Sequence, residues 1–292
     1  MRLGPGASTA MNGLRSMQRM SVYLRNAVLL GLTALTLSST LIVAEEESLV
    51  LDTPVQEKIS SLLKDYKPDK ALTRTTERRE IDNRGNFGKL VYEQRRAIYK
   101  RQESGLWAVV STAALGGSSG SARSLSLCGL VALLSATASK TSFDQMISIP
   151  SEKIFFYFSI RHSIDWGRRL RVMSFEASAN NICAPAPGAE FSYRVGTELE
   201  VKTSGLLGVT KVARGLDDFS CKVSAESRPA NEIFPSLRGD ALLTSCERIG
   251  KSGAKAKLGY AFLRDAGIYL LLSEDTDVQT TKVHYEEVQE TE

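Results

Sequence analysis

The stretch from Leu106 to Ser139 reads LWAVVSTAALGGSSGSARSLSLCGLVALLSATAS and carries one charged residue, Arg123, whereas the residues before it are rich in Lys, Arg, Glu and Asp. Such a stretch can cross a membrane, pack in a core or form an active-site loop, so its role decides the fold. Gly and Ser residues at its centre separate two apolar arms, Leu106–Leu115 and Leu125–Ala138. A membrane-spanning helix needs about 20 apolar residues, so neither arm spans a bilayer alone.

The second arm has the residue spacing of a helix. Four apolar residues follow at i, i+3, i+4 and i+7, namely Leu127, Leu130, Val131 and Leu134. This spacing is typical of a helix with one buried face. The stretch is therefore predicted to be a helical hairpin that packs against protein. The alternatives are self-association, or peripheral contact with a membrane, through Leu106–Ser139.

Residues 1–44 are predicted to be an export signal. Arg19 and Arg25 precede an apolar run, and the segment ends in LIVA at Ala44, directly before three glutamates. This is the pattern of a signal peptide that is cleaved after a small residue. The mature chain is then expected in the periplasm or outside the cell. The alternative is an uncleaved segment that anchors the protein in the inner membrane through residues 22–44.

The basic surplus of the chain belongs to this first segment. The chain has 37 basic and 33 acidic residues, and residues 1–44 hold four arginines and no acid. The mature chain is therefore close to neutral. It lacks the positive charge that is typical of nucleic-acid-binding proteins, so no nucleic-acid partner is expected.

Residues 45–141 are predicted to be a helical segment that contains a charged linker and the apolar hairpin. Thr53, Pro54 and Gln56 suit the first turn of a helix with Thr53 as its N-cap. An apolar stripe at helical spacing follows at Val55, Ile59, Leu62, Leu63 and Tyr66. Residues 69–88 are predicted to be a solvated helix or a flexible tether. Residues 89–101 are predicted to form a helix with one buried face, with two short strands as the alternative.

Residues 142–292 are predicted to form an antiparallel β domain. Short segments rich in aromatic and β-branched residues alternate with turn formers, and no long helical pattern separates them. The clearest hairpin has its turn at Asp265–Gly267. Together with the helical segment, this predicts an α+β fold whose β domain is a sandwich or a partly open barrel.

The four cysteines predict a disulfide and no metal site. They are Cys128, Cys183, Cys221 and Cys246, without C-x-x-C spacing, and the chain has only two histidines. A structural zinc site needs about four closely organised ligands, so no metal is expected. In an oxidising compartment Cys221 and Cys246 are predicted to pair, because both lie within strand-like segments. The alternative is four buried thiols.

One motif suggests a hydrolase. Residues 116–120 read GGSSG, which matches the G-x-S-x-G nucleophile elbow with Ser118 as the nucleophile, and His284 follows in the required chain order. The elbow needs a strand, a sharp turn and a helix within a parallel sheet, and the surrounding sequence does not predict such a sheet. A secreted serine hydrolase that uses Ser118 and His284 is therefore kept as the alternative function, and no catalytic residue, cofactor or enzyme activity is otherwise predicted.

A cluster of cations beside a tryptophan is the candidate ligand-binding site. Its members are Arg161, Trp166, Arg168, Arg169 and Arg171. Arginine side chains bind phosphate and carboxylate groups, and a tryptophan ring can stack on a sugar. The ordinary alternative is a strand with arginines on its solvent-exposed face. The sequence thus predicts an exported, non-catalytic binding or assembly module of the bacterial cell envelope, whose partner is an envelope protein or an anionic envelope polymer.

Overall fold

The structure is a computed structural model that describes residues 51–64, 66–84, 90–115, 118–150, 155–203 and 209–291, with the side chains of all of these except residues 141–163. The elements in chain order are α1 (Thr53–Leu63), β1 (Leu72–Asn83), β2 (Leu90–Arg101), β3 (Trp107–Leu115), β4 (Ser118–Leu127), β5 (Val131–Pro150), β6 (Phe155–Ala177), β7 (Glu190–Thr203), β8 (Thr210–Val223), β9 (Arg228–Pro229), a 3-10 turn (Ala230–Glu232), β10 (Asp240–Gly250), β11 (Lys255–Leu263), β12 (Ile268–Thr276) and β13 (Gln279–Glu290).

Twelve of these strands form a closed barrel. Strands β1 to β8 pair with their neighbours in chain order, β8 pairs with β10, and β10 to β13 again follow chain order. The antiparallel pairing of β13 with β1 closes the ring. The short β9 pairs with β10 at the edge of the sheet. The prediction of mainly antiparallel β structure is confirmed, but the sheet is a closed barrel and not a sandwich or a partly open barrel.

The prediction of a helical hairpin at Leu106–Ser139 is wrong. This stretch forms β3, β4 and the first part of β5. The turn between β4 and β5 includes Cys128 and Gly129, whose φ angles are 43° and 75°. Residues on the two sides of this turn meet across a hairpin, with Leu127 opposite Val131. The helix-like spacing of Leu127, Leu130, Val131 and Leu134 therefore comes from the end of β4, the turn and the start of β5.

Among the described residues of the predicted helical segment 45–141, α1 is the one helix. The predicted stripe is confirmed there, because Val55, Ile59, Leu62 and Leu63 are buried. Asp52 and not Thr53 is the N-cap, and its side chain makes no capping hydrogen bond. The predicted linker and the helix after it are β1 and β2. The division of the chain near residue 142 falls inside β5, so it is not a structural boundary.

The predicted export signal at residues 1–44 and the alternative anchor at residues 22–44 lie outside the described residues, since both precede Leu51. Among the residues that the structure describes, none of the helices has the length and apolar character needed to span a bilayer.

The segment after α1 closes one end of the barrel, which we call the closed end. The Tyr66 hydroxyl donates a hydrogen bond to the carbonyl oxygen of Gly267 in the β11–β12 turn. The Trp107 indole nitrogen in turn donates to the Tyr66 hydroxyl at 3.3 Å. The guanidinium of Arg101 lies over the Tyr66 ring, 5.1 Å from its centroid. Because Tyr66 and Trp107 are both buried, this end of the barrel is filled with side chains.

The β11–β12 hairpin is buried on both faces at the closed end. Alternate residues of these strands belong to two different hydrophobic clusters: Phe262 and Tyr269 pack with α1, whereas Ile268 and Leu270 pack with Trp107. The backbone N–H of Tyr269 also donates to the carbonyl oxygen of Cys128 at 2.8 Å. The adjacent Gly129 must be glycine, because a Cβ there would lie 2.8 Å from Ile268 Cγ1 at a positive φ.

Two disulfides connect the strands and loops. Cys221 of β8 and Cys246 of β10 lie directly opposite each other with their Cα atoms 4.0 Å apart, so the predicted pair is the one found. Cys128 in the β4–β5 turn is bonded to Cys183 in the loop between β6 and β7, with a Cα–Cα distance of 5.6 Å. All four cysteines are buried and bonded in pairs. The alternative prediction of four buried thiols is therefore wrong.

Candidate functional site

The uncharged stretch of the sequence lines one side of the barrel interior. Alternate residues of β3, β4 and β5 face inward, continuing the pattern set by the buried Trp107, Val109 and Ser111. These inward positions hold small uncharged side chains: Ser111, Ala113, Ser118, Gly120, Ala122, Ser124, Ser135, Thr137 and Ser139. We call this surface the small-residue wall.

The interior is open towards the end opposite the closed end, which we call the open end. Ser111 of the small-residue wall is buried, as is Ser126 nearer the closed end, but Ala113, Ala122 and Ser124 are partly exposed although they face inward. Eight strands enclose an interior that side chains just fill, and the diameter of a barrel grows with the number of strands. Twelve strands with a wall of Ala, Ser and Gly therefore leave a solvent-accessible lumen in the open half.

Four charged side chains face the lumen from β1 and β2, and we call them the ionic cluster: Glu77, Arg79, Glu93 and Arg95. They lie as a two-by-two arrangement, with Glu77 opposite Arg95 and Arg79 opposite Glu93 across the strand pair. Glu77 Oε1 is 2.7 Å from Arg79 Nη2 and 3.6 Å from Arg95 Nη1. Arg95 also donates a hydrogen bond to the Ser111 hydroxyl at 3.1 Å. The ionic cluster is thereby joined to the small-residue wall.

The opposite charges of the ionic cluster stabilise one another inside the barrel. Glu77 is 4% exposed. Burial alone lowers the pKa of the Arg79 guanidinium, but the charge and hydrogen bond of Glu77 outweigh it and raise that pKa. Opposite charges at close range favour the charged form of each group. Arg79 therefore stays protonated at any ordinary pH.

Several tyrosines line the interior and remain neutral. Burial raises the pKa of Tyr193 and Tyr285 well above the usual value, and that of Tyr260 to about 12. Tyr285 donates its hydroxyl to the carbonyl oxygen of Leu271 at 3.0 Å. These phenols thus carry a proton under physiological conditions and contribute hydrogen-bonding groups without adding charge.

The five residues of the predicted ligand-binding cluster do not form a single site. Trp166 and Arg168 face the lumen, since they lie opposite Ser139 and Thr137 of the small-residue wall, and the Arg168 guanidinium lies 4.4 Å from the Trp166 ring centroid. Arg169 and Arg171 alternate with them and face outward. Arg171 pairs with Asp52 at 3.7 Å and with Glu198 at 3.4 Å. The side chain of Arg161 is outside the described part of the chain.

The two residues of the alternative hydrolase are not brought together. Ser118 begins β4 and faces the lumen, whereas His284 lies in β13, opposite the exposed Arg78, and faces outward. The only carboxylate within 4.0 Å of His284 among the described residues is that of Glu80, on the same outer face. No helix follows β4, which runs through a turn into β5. The geometry of a nucleophile elbow is therefore not present at this position.

Two surface grooves lie on the outside of the barrel and not in the lumen. One has a volume of about 450 Å³ and is lined by residues of β8, β10, β11 and β12, such as Lys222, Ser245 and Ser273. The other has about 470 Å³ and lies over β6, β7 and β8, where Arg194 and Asp218 pair with each other. None of the described residues that line the two grooves belongs to the ionic cluster or to the small-residue wall, so we take the lumen as the candidate site.

The ionic cluster was not predicted, although the sequence contains a signal for it. Both β1 and β2 carry a Glu-x-Arg triplet, at Glu77–Arg79 and at Glu93–Arg95. A spacing of two places both charges of each triplet on one face of a strand. The two triplets face each other only once the strand register is known.

Within the described residues, no group of three or more His, Cys, Asp or Glu side chains is arranged to hold a metal ion. Comparisons of the chain with protein-family models, with curated protein sequences and with solved structures find no match.

Proposed function

We propose that this protein is an exported, non-catalytic binding module of the bacterial cell envelope that takes a small polar ligand into the open half of its barrel. The observation that carries the proposal is the composition of the lumen. Hydroxyl and methyl groups of the small-residue wall lie beside the ionic cluster, which Arg95 joins to Ser111, and Trp166 and Arg168 lie on the strand next to the other edge of the wall. A concave site with a few polar and charged groups placed to fix a ligand's orientation is typical of small-molecule binding.

Export is supported by the cysteines and by the N-terminal sequence. Two disulfides form and persist in oxidising compartments and are rare in the cytoplasm. The signal-like pattern that ends at Ala44 points to the same route. A periplasmic or secreted location accommodates both features. N-terminal sequencing of the mature protein is expected to begin near Glu45, and an intact Met1 or Met20 terminus in the membrane fraction would instead support the anchor.

A binding role suits the lumen better than proton-transfer chemistry does. The ionic cluster carries two positive and two negative charges that neutralise each other, and Arg79 and the buried phenols hold their protons far beyond neutral pH. Groups of this kind orient a ligand through hydrogen bonds and fixed charge. A general base would need a pKa near the working pH.

The proposal is tested by filling the lumen with one large side chain. Ala122 of β4 faces inward and is partly exposed, while its neighbour Ser121 faces outward. The wild-type protein, purified from the envelope fraction, is examined by native mass spectrometry for a bound small molecule and by thermal unfolding in the presence of a small-molecule extract of the same fraction. A ligand at about 100 times its dissociation constant stabilises the folded state by about 2.7 kcal/mol.

We expect Ala122→Trp to abolish the bound mass and the thermal shift, and the matched control Ser121→Trp to keep both. Trp at position 122 occupies the space that the ligand would take, whereas Trp at position 121 projects into solvent. If Ala122→Trp folds and binds as the wild type does, the ligand does not occupy the lumen.

A further inference from the structure

The outer face of the barrel over β1 to β4 has an apolar centre surrounded by cations. Ile98 of β2 lies directly opposite Val110 of β3, and the two residues are 57% and 47% exposed. The row continues to Arg74 on one side, opposite Ile98, and to Arg123 on the other, opposite Val110. Arg96 and Lys100 lie two residues before and after Ile98 on the same face of β2. We call this surface, Arg74, Arg96, Ile98, Lys100, Val110 and Arg123, the basic face.

The cations of the basic face have no acidic partners. Within the residues that the structure describes, Arg74, Arg96, Lys100 and Arg123 form no ion pair. The sequence explains why. β3, β4 and β5 as far as Lys140 contain no acid, and the single acid of β2, Glu93, faces the lumen in the ionic cluster. Positive charge therefore accumulates on the outside of these strands.

The opposite side of the barrel is built differently. There the outward cations are neutralised by acids on the same or neighbouring strands: Arg194 by Asp218 at 2.6 Å, Arg214 by Glu198 at 2.9 Å, Lys222 by Glu190 at 3.1 Å and Lys202 by Glu200 at 3.1 Å. Although the charges of residues 45–292 balance overall, the barrel thus has one outer side with unpaired cations and another with paired ones. Such an asymmetry orients the molecule towards a negatively charged partner.

We infer that the basic face docks the barrel side-on against an anionic lipid bilayer. Unpaired Arg and Lys side chains attract anionic headgroups, and each contributes roughly a fivefold increase in partitioning near the surface. The exposed Ile98 and Val110 at the centre add an apolar contact with the acyl boundary, as in proteins that bind at the membrane interface. A soluble acidic polymer or an acidic protein would satisfy the cations but would not explain two adjacent exposed aliphatic side chains between them.

The test is co-sedimentation of the exported protein with vesicles. Vesicles of phosphatidylglycerol and phosphatidylcholine are compared with vesicles of phosphatidylcholine alone at low ionic strength. We expect binding to the anionic vesicles, with a decrease as salt is raised because added ions screen the attraction. The double variant Arg96→Gln/Arg123→Gln is expected to weaken binding about 25-fold, that is about fivefold for each cation.

The matched control is Arg194→Gln/Lys222→Gln, which removes the same charge from the opposite side of the barrel. We expect this control to bind as the wild type does, and Ile98→Ser/Val110→Ser to lose binding without any change in charge. Equal losses in both double Gln variants, equal binding to the two kinds of vesicle, or binding to polyglutamate in place of the vesicles would each overturn the inference. The basic face lies outside the lumen, so this result is independent of what the lumen binds.

Discussion

Replacing Glu77 by alanine is expected to destabilise the barrel by about 3 kcal/mol, because it leaves buried positive charge without its partner. Glu77 is 4% exposed and holds Arg79 at 2.7 Å and Arg95 at 3.6 Å. Neither guanidinium can lose its proton to escape the penalty, because arginine stays charged at any ordinary pH. The expected cost is at the lower end for such changes because both arginines keep some contact with solvent. The free energy of unfolding, measured in urea, gives the result.

The control is Glu190→Ala, which also removes a glutamate that pairs with a cation. Glu190 and its partner Lys222 are 68% and 74% exposed, and an exposed pair contributes less than about 1 kcal/mol. We further expect Arg79→Ala to cost less in the Glu77→Ala background than in the wild type, which is the signature of direct coupling. A loss of stability in Glu77→Ala no greater than in Glu190→Ala would show that the ionic cluster does not contribute to the fold.

Removing both disulfides is expected to leave the barrel with little net stability. The bond between Cys128 and Cys183 spans 55 residues of sequence and that between Cys221 and Cys246 spans 25. The chain-entropy model gives about 4 kcal/mol for the first and about 3.5 kcal/mol for the second. Their sum approaches the whole free energy of unfolding of an ordinary domain, about 5–15 kcal/mol. Paired Cys→Ala variants avoid placing a new polar group in these buried sites.

Urea unfolding of the two paired variants gives the order of the effects. We expect Cys128→Ala/Cys183→Ala to lose slightly more stability than Cys221→Ala/Cys246→Ala, because its loop is longer. A reductant should destabilise the wild type, and it should have no effect on a variant that lacks both bonds. Losses below 1 kcal/mol for both variants would mean that the cysteines are not bonded in the native protein.

The strands from residue 142 onward could be predicted from the sequence because their two faces differ. The first residues of β7 alternate between exposed and buried positions, with Phe191, Tyr193 and Val195 on the inner face. The end of β8 does the same at Cys221 and Val223. The β11–β12 turn contains Gly267 with a positive φ, as a short hairpin requires. The pairing of Cys221 with Cys246 was predicted because both lie within strand-like segments, and the structure has this pair.

The strands before residue 142 were missed because their two faces do not differ in the usual way. In β3 and β4 both faces carry Ala and Ser, since the inward face lines a lumen and need not be apolar. In β1 and β2 both faces carry charges. The inner face can do so because Glu77 and Arg79 are neutralised by Arg95 and Glu93 on the neighbouring strand. Alternation of polarity, the main sequence signal for a strand, is therefore weak in both pairs of strands.

The lumen itself depends on register and closure, which local patterns do not contain. Ser111 comes within hydrogen-bonding distance of Arg95 only because β2 and β3 pair as they do. Trp166 and Arg168 were chosen for their chemistry, but only the alternation along β6 separates them from Arg169 and Arg171. The uncharged stretch Leu106–Ser139 thus forms one wall of an open lumen.

The most direct test of this account is the reactivity of single thiols introduced at two neighbouring positions of β3. The native cysteines are all bonded, so an added thiol reacts alone. Ala113→Cys places it on the lumen side and Ala114→Cys on the outer side. A small methanethiosulfonate reagent and a maleimide fixed to a bead are applied to each variant. The account predicts that position 114 reacts with both reagents and position 113 with the small reagent alone. Capture of both variants by the bead would contradict a closed barrel whose lumen is lined by β3 to β5.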